Sequence, residues 1–280
     1  MRVVKENEFN AKKGNTMKFG LGQKIIITGA SSGIGRDLAI EFAKVGAHIG
    51  LIARREELLL SLINEMQVYG GKAFYAIADI SNRVETNKAI SKLIVNLNGV
   101  DILIANAGVG APTLIEPFNV ETQEKMIMVN LLGVIYSVEG VLQTMLTAGK
   151  GHLVAISSLA AFKGLPGESG YTASKAGVNT FLEGLRIQLR SKNIFVSTIC
   201  PGFIKTPMTE INDEKDMPWL MNSQKAAEII IKGIQNKTKV LRFPWQTSLL
   251  SRIATCLPDW VISRLMKKYN DNPPIPKRPL

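Results

Sequence analysis

The sequence predicts an α/β fold: a doubly wound parallel sheet of about seven strands, with helices on both faces and a C-terminal helical extension. Three observations predict it. Short apolar runs alternate with helical patterns from residue 24 to residue 242. The runs read apolar throughout, as strands do when both faces are covered, and helices between them act as crossovers that force parallel pairing. A glycine-rich turn joins the first run to the first helix. Open sheets of this kind bind ligands beyond the carboxyl ends of their strands.

The elements follow in order. KIIIT at 24–28 is the first strand, and a helix spans 34–45 with Leu38, Ala39, Phe42 and Val45 on one face. Strands at 47–52, 72–77 and 101–105 alternate with helices at 56–68 and 84–97. A long helix covers 120–147, followed by a strand at 152–157, a helix at 171–191 and a strand at 194–199. A helix at 223–235 and a strand at 239–242 close the pattern. The loop 201–222 is long and carries Phe203, Met208, Met217, Trp219 and Met221. It is either a lid over a binding site or a loop packed down by those side chains, and the two are compatible.

The chain divides into a flexible arm (1–18), one sheet domain (19–242) and an amphipathic extension (243–280) with a disordered Pro-rich end. Met17 is an alternative start to Met1. Of 280 residues, 46% are hydrophobic and 20% charged, a globular balance. No apolar run approaches the roughly 18 residues that cross a bilayer, and the N-terminus lacks a signal core, so a cytoplasmic protein is expected. Cys200 and Cys256 are too few for a disulfide framework and read as reduced thiols. His48 and His152 stand at strand starts in no zinc spacing, so no metal is expected.

The net charge of +11 is unevenly placed. Residues 236–280 hold nine basic and two acidic residues, and residues 1–18 hold five and two. The remaining body holds twenty basic and nineteen acidic residues and is nearly neutral. This excludes a nucleic-acid-binding fold with a basic face. It leaves a basic tail able to touch an anionic surface.

Thr28 to Gly35 reads TGASSGIG. Gly29, Gly33 and Gly35 allow a tight turn and close backbone approach. Ile34 lies at the helix start, whose free N–H groups and partial positive charge suit a pyrophosphate. Ser31 and Ser32 add hydroxyl donors. The second strand ends at Ala53-Arg54-Arg55. An acid at the Ala53 position would accept from a ribose 2′-hydroxyl, whereas arginines suit a 2′-phosphate. NADP(H) is therefore favoured over NAD(H). Arg55 also fits a solvated position in the first turn of the next helix.

Tyr171 and Lys175 are four residues apart on a helix, which places them on one face. A free phenol with a pKa near 10 exchanges protons poorly at neutral pH, and a neighbouring ammonium lowers that pKa. Such a pair can serve as a general acid and base.

Together these motifs resemble the main single-domain branch of the short-chain dehydrogenase/reductase family, over residues 22–242. The resemblance implies a Rossmann-type catalytic domain and assigns further residues. Ser158, thirteen residues before Tyr171, matches the catalytic serine, beside Tyr171 and Lys175 of the YxxxK motif. Asn130 matches the asparagine that holds a water for proton relay, and Lys175 is implied to grip the nicotinamide ribose. Asp79, with Ile80 beside it, matches the acid that bonds the adenine. Asn106, Ala107 and Gly108 match the NAG motif lining the cofactor. Pro201, Gly202 and Thr206, with the backbone of Ile204, match the segment holding the nicotinamide carboxamide.

The implied function is interconversion of a carbonyl and a secondary alcohol with NADP(H), in a homo-oligomer that the tail biases toward a dimer. The apolar loop and tail point to an apolar or lipid-like substrate. The alternative is a non-catalytic NADPH-binding scaffold or membrane-associated interaction protein. The tail itself reads as two short amphipathic helices broken at Pro258, with Arg252, Arg264, Lys267 and Lys268 among apolar residues. They pack on the body, lie on a membrane surface, or bind a partner.

Overall fold

The computed structural model describes residues 19–210 and 213–269. The arm expected at 1–18 and the Pro-rich end lie outside the described residues. Seven strands form one parallel sheet: β1 (Lys24–Thr28), β2 (His48–Ala53), β3 (Ala73–Ile77), β4 (Ile102–Ala105), β5 (Gly151–Ile156), β6 (Ile194–Pro201) and β7 (Val240–Phe243). Their order is β3-β2-β1-β4-β5-β6-β7. The chain reverses direction across the sheet between β1 and β4, whose last paired residues are Thr28 and Ala105. A crevice opens at such a switch point, outside the carboxyl ends of the strands.

The helices between strands are α1 (Gly33–Lys44), α2 (Glu56–Met66), α3 (Arg83–Leu97), α4 (Val120–Ile127), α5 (Gly133–Ala148), α6 (Ser169–Gln188) and α7 (Ser223–Gln235). Two cores result, one on each sheet face. One is built on Ile25, Ile27, Leu38, Phe42, Leu51, Leu59 and Ile230, from α1, α2 and α7. The other is built on Ile26, Ile90, Leu93, Leu103, Val141, Leu153 and Leu182, from α3, α5 and α6. Consecutive residues Ile25, Ile26 and Ile27 feed opposite cores because side chains alternate along a strand, and all are fully buried. Each such side chain stabilises the fold by about 1.5–3 kcal/mol.

Local chemistry sets the ends. Asn82 caps α3 by accepting from the N–H groups of Val84 and Glu85 at 3.0 and 3.2 Å. A cap of this kind contributes about 1 kcal/mol. Gly149, in the left-handed region, ends α5. His152 is buried and His48 accepts from the Lys72 N–H through Nδ1 at 3.1 Å.

Three features depart from the expected elements. β6 runs two residues further than expected, because Cys200 and Pro201 pair with Arg242 and Phe243 of β7. The long helix is interrupted by a π-helical turn, Met128–Leu132, between α4 and α5. Within the 201–222 loop, Ile204–Lys205 pairs with Met221–Asn222 as a small parallel ribbon. The combined stretch Val120–Ala148 is long and apolar enough on average to cross a membrane. Its residues Val134, Val138, Val141 and Met145 are instead buried in the second core.

Beyond β7 the chain continues as α8 (Trp245–Cys256) and α9 (Asp259–Leu265), separated at Pro258.

Candidate active site

The carboxyl ends of β1, β2, β4, β5 and β6 converge on a cleft of about 430 Å³. At one end lies the β1–α1 turn. Gly29 and Gly33 have φ of +65° and +55°, in the left-handed region. A Cβ on Gly29 would stand 2.6 Å from Ala107 Cα, and one on Gly33 would stand 3.0 Å from Thr206 Cγ2. The turn is thus a cradle whose floor cannot accept side chains. Asn106 fixes it to β4, donating through Nδ2 to the carbonyls of Thr28 and Gly29 at 3.1 Å each. The Thr28 hydroxyl oxygen accepts in turn from the N–H groups of Asn106 and Ala107 at 3.1 and 3.2 Å.

Beside this cradle, Arg55 Nη2 donates to Ser31 Oγ at 3.1 Å and to Ser32 Oγ at 3.2 Å. Arg55 is therefore turned onto the glycine turn and does more than solvate the start of α2. Arg54 Nη1 stands 3.8 Å from Asp79 Oδ2. Burial works against the Asp79 carboxylate, but the N–H and hydroxyl of Ser81, 2.9 and 2.7 Å away, and Arg54 hold its pKa below the usual value. These groups, two guanidinium side chains and two hydroxyls around a Cβ-free turn, fit the phosphates of a dinucleotide.

The other end carries Ser158, Tyr171 and Lys175. α6 places Tyr171 and Lys175 one turn apart, with Lys175 Nζ 5.8 Å from the centre of the Tyr171 ring. Lys175 Nζ donates to the Ile156 carbonyl at 2.9 Å, at the end of β5. Ser158 follows β5 directly. Its Oγ accepts from the Ala160 N–H at 3.1 Å, and it lines the cleft with Tyr171. Pro201 at the end of β6, with Gly202, Ile204 and Thr206 after it, also lines the cleft, as do Ile80, Asn106, Ala107 and Gly108.

Burial acts strongly on the charge of both groups. Burial pushes the Tyr171 phenol up to about 12, against the downward pull of Ser158 and with an upward push from Glu168. Burial also drives Lys175 down to about 8. Desolvation is the largest influence on both groups and holds the Tyr171 phenol toward its protonated form.

Two expected residues stand behind the cleft wall. Gly35 is buried in α1, where a Cβ would fall 2.4 Å from the Gly29 carbonyl, so it lets helix and turn pack closely. Asn130, at the π-helical turn, is fully buried. Its Oδ1 accepts from the Val109 N–H at 2.8 Å, and its Nδ2 donates to the Val109 carbonyl and Ser174 Oγ at 2.9 and 3.0 Å. Both amide hydrogens are therefore engaged by protein.

Three neighbours of the site belong to no sequence motif. Val109 and Gly110 line the cleft beside Met208; a Cβ on Gly110 would meet Met208 Sδ at 3.5 Å and the Tyr171 ring at 3.6 Å. Glu168, at the N-cap of α6, is a desolvated carboxylate whose pKa is raised by burial. Its place three residues before Tyr171 was the available signal. Among the described residues, no group of three or more His, Cys, Asp or Glu could hold a metal ion.

Comparison with known proteins gives consistent results. A family model described as short chain dehydrogenase matches residues 23–216. An uncharacterized oxidoreductase of Myxococcus xanthus is 38% identical over 234 residues, covering 84% of this chain and 92% of that protein. A 3-oxoacyl-[acyl-carrier-protein] reductase of Thermotoga maritima is 34% identical over 194 residues, covering 69% of this chain and 79% of its own. Among solved structures, an alcohol dehydrogenase from the archaeon Thermococcus sibiricus, complexed with 5-hydroxy-NADP, aligns with a TM-score of 0.71. It is 25% identical, and the match covers 79% of this chain and 94% of that one.

Proposed function

Given that the chain belongs to the short-chain dehydrogenase family, we propose that it interconverts an apolar carbonyl and its secondary alcohol with NADP(H). The observation that carries this reading is the joining of two sites in one cleft. The glycine cradle with Arg54 and Arg55 lies at one end, and Ser158, Tyr171 and Lys175 lie at the other.

When bound, the dinucleotide supplies or accepts the hydride. This chain's residues do the rest. The Gly29–Gly35 turn and Arg54 and Arg55 take the phosphates, Asp79 and Ile80 the adenine side, and Asn106, Ala107 and Gly108 the middle. Pro201, Gly202, Ile204 and Thr206 take the carboxamide end, and Lys175 the nearby ribose. Ser158 donates a hydrogen bond to the substrate oxygen and fixes its direction. Tyr171 gives its phenolic proton to that oxygen as negative charge develops there. Its protonated state at neutral pH suits the reductive direction. Lys175 offsets the phenolate charge that remains. Asn130 contributes by position, since its side chain holds the Val109 backbone against the helix that carries Lys175.

The wall beside Tyr171 consists of Val109, Gly110 and Met208. Apolar groups there lower the cost of binding an apolar carbonyl and do nothing for a polyhydroxylated one.

The test is NADPH consumption with a panel of medium-chain and cyclic ketones and, separately, small sugars. Tyr171→Phe is expected to lower turnover by about 10²–10⁴-fold while NADPH binding persists. Turnover unchanged by that substitution removes the assigned chemistry. NADPH binding with no turnover of any carbonyl favours a non-catalytic scaffold.

A further inference from the structure

The C-terminal helix α8 docks on the body in the reverse of the usual sense. Helices on globular proteins bury their apolar stripe and expose their polar one. In α8 the side facing the body is polar. Ser248 is buried, Ser251 Oγ donates to the Leu159 carbonyl at 3.1 Å, and Thr255 Oγ1 donates to the Phe162 carbonyl at 3.3 Å. The outward side carries Trp245, Leu249 and Ile253, four residues apart, with Leu250 beside them. Trp245 is 71% exposed and Leu249 and Ile253 are each 49% exposed. Beyond Pro258, Trp260 and Leu265 of α9 are similarly bare, at 70% and 72%.

This apolar band is held in place. Lys163 Nζ donates to the Leu257 carbonyl and to Asp259, both at 3.2 Å, fastening the α8–α9 junction to the loop after β5. Arg242 stacks on Phe162 at 3.9 Å. The segment so clamped begins one residue after Ser158, so the helices that carry the band are anchored to the loop bordering the cleft. Contiguous exposed apolar surface of this kind marks an interaction site.

Charge selects the occupant. Residues 236–280 hold nine basic and two acidic residues, whereas 19–235 is nearly neutral. Arg252 and Arg264 stand exposed on the two helices, and Lys267 stands exposed just beyond α9. A second copy docking through this band would bring two strongly cationic tails together, which opposes association. An anionic lipid surface accepts both features at once: apolar side chains enter the headgroup boundary, tryptophans sit at the interface, and the cations meet lipid phosphate.

We propose that α8 and α9 form a docking surface for an anionic membrane, with Trp245, Leu249, Ile253 and Trp260 entering the lipid and the basic residues holding the headgroups. This inference stands on the tail alone and does not require the catalytic reading.

The test is co-sedimentation of the full chain with phosphatidylcholine vesicles, with and without about 30% phosphatidylglycerol, at low and high salt. Binding is expected to the anionic vesicles, to weaken at least tenfold at high salt, and to fall at least tenfold in Leu249→Glu/Ile253→Glu. The companion variant Arg252→Glu/Arg264→Glu keeps the apolar band and is expected to lose binding to the same extent. Circular dichroism and sedimentation velocity on each variant report folding and oligomeric state. No binding to anionic vesicles, or equal binding by the folded variants, overturns the proposal. A dimer that Leu249→Glu/Ile253→Glu converts to monomer, with no vesicle binding, overturns it in favour of a second copy.

Discussion

Asn130 and Val109 are joined by two hydrogen bonds in opposite directions, the Val109 N–H to Oδ1 at 2.8 Å and Nδ2 to the Val109 carbonyl at 2.9 Å. The pair closes the loop after β4 onto the π-helical turn, as a side-chain amide standing in for a strand partner. A third bond, Nδ2 to Ser174 Oγ at 3.0 Å, reaches the helix of Tyr171 and Lys175. One buried amide thus ties together three segments that frame the cleft.

Asn130→Leu keeps the volume and removes all three bonds. The Val109 backbone groups, partly buried at the cleft wall, then lack protein partners, and stability is expected to fall by about 3 kcal/mol. Denaturant unfolding measures this directly. A loss below about 1 kcal/mol would mean that water replaces the amide and that the clasp is not structural.

The two arginines after β2 predict different losses. Arg54 meets Asp79 at 3.8 Å, whereas Arg55 holds the Ser31 and Ser32 hydroxyls. Arg54→Ala is expected to weaken NADPH about 10–100-fold and leave NADH nearly unchanged, as loss of a charge-assisted phosphate contact should. Arg55→Ala frees the Ser31 and Ser32 hydroxyls of the glycine turn, which both nucleotides would share, and is expected to weaken both. Fluorescence titrations with each nucleotide distinguish the two. Equal effects of Arg54→Ala on both nucleotides would remove the 2′-phosphate assignment.

What the sequence made legible was whatever depends on near neighbours. Ile25, Ile26 and Ile27 in an unbroken apolar run reveal a strand covered on both sides. TGASSGIG between a strand and a helix reveals the cradle. The π-helical turn was not legible, because VNLLG keeps a helical pattern and the extra residue is stabilised by Val109, twenty-one positions away. The balance of influences on Tyr171 was hidden for a related reason. Spacing shows that Lys175 is near, but only the packed structure shows how thoroughly both groups are desolvated. In α8, Trp245, Leu249 and Ile253 announce an amphipathic helix without saying which face turns inward. Ser251 and Thr255 settle that through contacts more than ninety residues distant.

His152 predicts a pH dependence of stability. Its Nε2 lies 2.8 Å from Ser197 Oγ, and that hydroxyl donates its own hydrogen to the Thr238 carbonyl at 2.7 Å. Nε2 must therefore carry the hydrogen of the neutral ring. Burial, with the Lys237 charge nearby, pushes the pKa down from 6.5 to about 4. Between those values the unfolded chain binds the proton and the folded chain does not, so stability rises with pH across that window. Falling from pH 6.5 to 4 should cost about 3 kcal/mol through this one group. His152→Leu is expected to flatten that part of the profile, measured by urea unfolding at several pH values. An unchanged slope would mean that the ring takes its proton without unfolding.

Glu168 predicts two linked effects with opposite consequences. Burial raises its pKa, and its negative charge raises that of Tyr171. A carboxyl with a raised folded pKa contributes stability at low pH that is lost as pH rises through that pKa. Glu168→Gln removes the cost of the buried charge, so the variant should be more stable than the parent at neutral pH, with the difference shrinking in acid. The same substitution removes the upward push on the phenol. Tyr171 should then deprotonate at lower pH, and the alkaline limb of reductive kcat/KM should move down the pH axis. A residue that only packs the start of α6 could change stability but would leave that limb in place. An unmoved limb in a folded, active variant would therefore show that Glu168 does not act on the proton donor.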